Sequence, residues 1–180
     1  MKVRHGIAAL LAATLTSACE PVAAPHHPVS DPASPAATTA AVTAPSPASG
    51  AFTQTAVTGL EVGTAGPNTI LEQTSEGTVS GTLNGSYQDR LRVVIHPSGR
   101  FNAHFTITCQ CSVNGESGVL ELVASDRGEI VGPTTAVFAG RAVVRGGSDD
   151  LSDLRGVLAI EGTVDLVSGL STYGYSGTIH

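Results

Sequence analysis

Cys109 and Cys111 stand one residue apart, and Asp149, Asp150 and Asp153 crowd into a single short stretch. On a strand, a Cys-x-Cys pair presents both sulfurs on one face, which suits a disulfide in an oxidising compartment. The two Cα atoms of a flat strand would stand roughly 6.5–7 Å apart, at the limit for bridging, so the bond requires a bend at Gln110. A strained bridge of this kind can also serve redox chemistry. Neither thiol, however, has a Lys, Arg or His beside it in sequence to favour the thiolate, and the expected role is a staple near a hairpin tip. Zinc is disfavoured because alternation puts His104 on the face opposite Cys109. The three aspartates do not follow the order of a calcium loop and read as a solvated acidic turn. His26-His27 reads as polar filler in a proline-rich segment. No Gly-x-Ser-x-Gly elbow occurs. No catalytic residue, metal or cofactor is therefore assigned.

The elements that would position these residues are strands. Phe101, Ala103, Phe105, Ile107 and Cys109 alternate with Arg100, Asn102, His104, Thr106 and Thr108, a strict period of two that specifies a half-buried strand. Weaker alternation marks 52–58, 77–83, 91–96, 120–124, 134–145, 157–165 and 173–179. Turns are expected at Asn84-Gly85, Pro97-Ser98-Gly99, Asn114-Gly115, Asp126-Arg127-Gly128 and the Gly/Ser/Asp-rich stretch 146–156. No capped window of helical periodicity interrupts them. The fold class is all-β: one antiparallel barrel of about eight strands, closed so that no edge is left exposed. Its inward stripe would include Phe101, Phe105, Phe138, Tyr173 and Tyr175. These rings either fill the core, which is the expected role, or line a pocket for one small apolar ligand.

The chain ahead of the barrel has a different character. Lys2 and Arg4 precede an apolar run at 7–15 and then Thr16-Ser17-Ala18-Cys19, the order of an export signal and too short to span a bilayer. This start resembles a bacterial lipoprotein signal, although Thr16 holds the place where that family favours leucine. The resemblance implies cleavage after residue 18, acylation of Cys19, and anchorage outside the cytoplasmic membrane; an ordinary signal would instead release the protein. Residues 19–50 contain seven of the ten prolines and no aromatic residue, and read as a disordered linker. Residues 51–180 form the barrel domain. They carry seven arginines, no lysine and thirteen acids, with no basic stripe for nucleic acid.

The order strand, Gly-Gly-Ser-x-x-Leu-x-x-Leu-Arg-Gly at 146–156, strand, Tyr-x-Tyr-x-Gly at 173–177 resembles the second half of the allene oxide cyclase and dirigent-like barrels and their uncharacterised bacterial relatives. Those families carry a Gly-Gly-Thr-Gly-x-Phe-x-x-Ala-Arg-Gly segment, matched here at Gly146, Gly147, Arg155 and Gly156. Ser148 replaces threonine, Leu151 replaces phenylalanine, and Asp149 stands where glycine is usual. The resemblance implies an eight-stranded barrel with a small apolar interior and carries over no catalytic position. Within 146–156, the glycines are expected to take backbone positions that a Cβ would disfavour, and Arg155 to pair with Asp153 or another acid. The leading functional expectation is a non-enzymatic binding or accessory module. A carrier of a small apolar ligand and a cyclase-like enzyme are the alternatives.

Overall fold

The computed structural model describes residues 44–180 as an antiparallel barrel of eight strands. The strands are β1 (Ser46–Ala65), β2 (Asn68–Gly81), β3 (Leu83–Ile95), β4 (Arg100–Val113), β5 (Glu116–Ile130), β6 (Thr135–Gly147), β7 (Gly156–Asp165) and β8 (Ser171–Ile179). Each pairs with its neighbours in sequence, and β1 closes the circle against β8 from Ser46↔Ile179 to Thr53↔Thr172. The first strand thus includes Ser46–Gly50, which composition assigns to the linker. Cys19, His26 and His27 lie outside the described residues.

Alternation sorts the side chains as a closed barrel requires. Along β4, Phe101, Ala103, Phe105, Ile107, Cys109 and Cys111 are buried, while Arg100, His104, Thr106, Thr108 and Gln110 face solvent. The inward rings need room across the sheet. Tyr87 faces Gly77, Phe101 faces Gly128, Tyr173 faces Gly162 and Tyr175 faces Gly50 in the strand register. A Cβ on any of these glycines would run into the facing residue.

Two expected turns are placed elsewhere. Asn84-Gly85 lies within β3, paired with Ser112 and Cys111, and the β2–β3 turn occurs at Gly81, where φ is +107°. The chain crosses there without needing Asn-Gly, and Gly85 serves a packing role instead. Asp126-Arg127-Gly128 continues β5, and the chain reverses after Ile130. Asn114-Gly115 does form a hairpin turn, with φ of 54° and 91°.

Cys109 and Cys111 are joined by a disulfide, with their Cα atoms 5.3 Å apart, closer than a flat strand allows. The contraction occurs at Gln110, whose carbonyl fills the space that a Cβ on Gly85 would need. His104 points outward, away from both sulfurs.

The stretch between β6 and β7 caps the barrel at the end where β1 begins. Its one turn of 3-10 helix, Asp149–Leu151, inserts Leu151 into the core with no exposure. Asp149 adopts φ of 54°, a left-handed angle that explains why glycine suits this place and why aspartate is tolerated. Gly146 has a φ of +93°, whereas Gly147 and Gly156 are required for space, being packed against the backbone of Val119 and Thr178. Among the described residues, Arg155 does not pair with Asp153 or any other acid. Its guanidinium donates to the carbonyls of Ser152 and Leu154, both at 2.9 Å, and so ties the turn together from within. Leu151→Ala should lower unfolding free energy by about 2–4 kcal/mol in a denaturant titration, because a fully buried leucine leaves a cavity at the barrel end.

A polar-floored cavity at the open end of the barrel

The opposite end is open. A cavity of about 470 Å³ is lined there by the middle of β1, the ends of β3, β5 and β7 and the beginnings of β2, β4, β6 and β8. Two bulges in β1, after Gln54 and after Val57, part this strand from β8, and beyond them β1 pairs with β2 alone. Val57 and Leu60 then turn toward the mouth, and the connection from Leu166 to Ser171 runs beside Val57, with Gly169 close to its side chain. Leu60, Ile130, Leu166 and Val167 form an apolar rim, with Val167 79% exposed.

Of the five rings expected on the inward stripe, Phe101 borders the cavity, and so does the trio Phe105, Phe138 and Tyr173. Tyr173 meets the other two across the barrel, with ring centroids 6.4 Å from Phe105 and 5.7 Å from Phe138. It also stacks on Phe52 at 5.0 Å. Tyr175 belongs to the closed end instead, where its hydroxyl accepts from the Leu83 amide at 2.8 Å and donates to the Ser80 carbonyl. Its place two residues along β8 carries it below Phe52 and away from the cavity.

The polar residues of the cavity were not expected from composition. Gln54 on β1 donates through Nε2 to Ser75 Oγ at 2.7 Å and to Asp89 Oδ2 at 3.2 Å. Ser75 in turn donates its hydroxyl to Asp89 Oδ1. The Ser171 amide completes the set by donating to Gln54 Oε1 at 2.8 Å. Asp89 is thus held by neutral donors alone. Burial raises its pKa, and the bonds from Ser75 and Gln54 oppose that rise.

Asp126 has no such support. It is 8% exposed, its Oδ1 has no hydrogen-bond partner, and it faces Gly140 across the β5–β6 ladder. Burial pushes its carboxyl up to about 7 from the usual 3.8. The hydroxyls of Tyr87 and Tyr173 face each other without meeting hydrogen-bond geometry. Burial raises both phenols, and the charges of Asp89 and Asp126 act on Tyr173 in the same direction. Tyr173 therefore lies in the field of both carboxyls.

A signal for these acids was present in the sequence. Stepping back by two from Leu91, Val93 and Ile95 reaches Asp89, and stepping on by two from Leu120, Leu122 and Ala124 reaches Asp126. Each carboxyl occupies a position that the period assigns to the core. Among the described residues, no three His, Cys, Asp or Glu side chains are grouped to hold a metal ion. Compared with protein families, curated proteins and solved structures, the chain matches none.

The buried acids set a pH dependence. Folded Asp126 keeps its proton up to about pH 7, while the unfolded chain loses it near 3.8, so the native state binds more protons in between. Stability should fall as pH rises through that window and level off above it. Melting temperatures measured across the window should show this slope, and Asp126→Asn should flatten it.

Proposed function

We propose that this chain is an exported, lipid-anchored protein of a bacterial cell envelope whose barrel binds one small, mainly apolar molecule without transforming it. The observation that supports binding is the open-ended cavity, apolar along its walls with a few convergent polar groups at depth. A volume of about 470 Å³ suits a single molecule of that class. The apolar rim of Leu60, Ile130, Leu166 and Val167 suits uptake from a lipid or other apolar phase. Export and anchorage rest on the resemblance of residues 1–19 to a lipoprotein signal, and the barrel's kinship on the resemblance of 146–156 and 173–177 to dirigent-like proteins.

One observation favours a cyclase- or isomerase-like enzyme as a second reading. Asp126 is a buried carboxyl with a pKa of about 7 on the wall of a ligand-sized cavity, as general acid–base chemistry requires. Substrate turnover that disappears in Asp126→Asn while ligand binding persists would select it.

Two measurements test the main reading. The neutral fluorophore N-phenyl-1-naphthylamine should bind with a Kd on the order of 1–100 μM, as expected for a compact apolar ligand in a preformed pocket. Ala103→Trp, which fills the cavity wall, should abolish the fluorescence rise while leaving a cooperative melting transition. Anchorage is tested in cells: the wild-type protein should partition into detergent with an acyl mass on Cys19, and Cys19→Ser should move it out of that phase. Wild-type protein found wholly in the aqueous phase without acyl mass would overturn the anchorage.

A further inference from the structure

The polar chemistry of the cavity is of one sign. Its titratable wall residues are Asp89 from β3, Asp126 from β5 and Tyr173 from β8. The first two strands contribute the amides of Gln54 and Gln73, and the wall residues of β4, β6 and β7 are apolar. Among the described residues, no Lys, Arg or His lines it. Asp89 has its donors in Ser75 and Gln54. Asp126 has none at Oδ1, and Gly140 opposite it supplies no side chain. Tyr173 is a buried residue whose hydroxyl faces that of Tyr87 and meets no hydrogen-bond partner.

Buried acceptors without donors are satisfied by a ligand that brings them. Resting on the binding reading above, we infer that the cavity selects apolar ligands bearing a basic amine, whose ammonium pairs with the Asp126 carboxyl on the cavity wall. The protein has already desolvated this carboxyl, so an ion pair formed there relieves a cost that folding imposed. Phe105, Phe138 and Tyr173 line the same space, and aromatic rings attract a cation held close to them. An alcohol of the same shape would supply a donor without the charge. A carboxylate would place a third acid among Asp89 and Asp126 with no cation to neutralise it.

The test compares head groups on one tail. Decan-1-amine, decan-1-ol and decanoate would each compete for N-phenyl-1-naphthylamine bound to the full chain carrying Cys19→Ser, at mildly alkaline pH. The amine should displace the probe at a concentration about tenfold below that of the alcohol, and decanoate should be the weakest of the three. In Asp126→Asn the amine and alcohol should come within about threefold of each other. The wild-type series decides the matter even where that variant fails to fold. Equal potency of amine and alcohol, or a preference for decanoate, would overturn the head-group selectivity while leaving the cavity a binding site. Absence of probe binding in the wild type would overturn the binding reading and this inference with it.

Discussion

A ring that points into an eight-stranded barrel must find empty space on the strand beside it. Cross-strand neighbours in a sheet stand close enough that two large inward side chains at one level compete for the same volume. Here the conflict is resolved by setting glycine opposite aromatic: Gly77 against Tyr87, Gly128 against Phe101, Gly162 against Tyr173, Gly50 against Tyr175. A Cβ on Gly77 would sit 2.8 Å from the Tyr87 ring, well inside contact distance. Phe52 then joins the cluster at its centre, stacked on Tyr173 and edge-on to Tyr87 and Tyr175. Phe52, Tyr87 and Tyr175 pack together toward the closed half of the barrel, and in the open half the small wall residues Ala103 and Ala136 leave space beside Phe101, Phe105 and Phe138. Core and cavity follow from one rule about which positions are large.

The same rule governs charge. Asp126 occupies an inward position opposite Gly140, where an apolar ring would otherwise lie, and Asp89 takes the corresponding role opposite Ser75. Neither is paired with a cation. Among the described residues, the one ion pair joins Arg92 to Glu72 at 3.4 Å on the outer surface, where both side chains are more than half exposed and the gain is small. Inside, Asp89 is accommodated by an amide and a hydroxyl, whereas Asp126 resolves the cost of burial by holding its proton. Neutralisation by protonation is the ordinary outcome for a carboxyl placed in a low-dielectric interior without a partner.

Much of the fold was legible, and part of what was not lies at the site. Strand β4 declares itself because all its inward residues are apolar, and Asn114-Gly115 marks the following hairpin because both residues accept positive φ. By contrast, the region 59–76 shows no alternation, since Gln73 and Ser75 sit at inward positions and two bulges shift the register of β1. Local propensity had no means of reporting that polar side chains could be buried there, as their partners lie on other strands. Asn84-Gly85 misleads for a related reason: the glycine is needed for the approach of Gln110, a tertiary demand that resembles a turn signal. Arg155 was expected to seek an acid, but the free carbonyls of its own turn were nearer. Where sequence pattern and structure part company, a polar or backbone group is serving tertiary packing.

The bond from Ser171 to Gln54 spans 117 positions of the chain and ties the polar floor to the last ladder that closes the barrel. Every other ladder joins strands consecutive in sequence and can form as a local hairpin. Closure of β1 on β8 carries nearly the whole loop entropy of the fold, and topologies dominated by such a pairing fold slowly, on the order of milliseconds to seconds. Until that step the Gln54 carbonyl has no donor from Ser171, and the aromatic contact between Phe52 and Tyr173 is absent. The cavity is therefore among the last features to exist during folding and among the first to vanish if the seam opens. An intermediate with its seven hairpin ladders formed but the seam open, however compact, would carry no binding site.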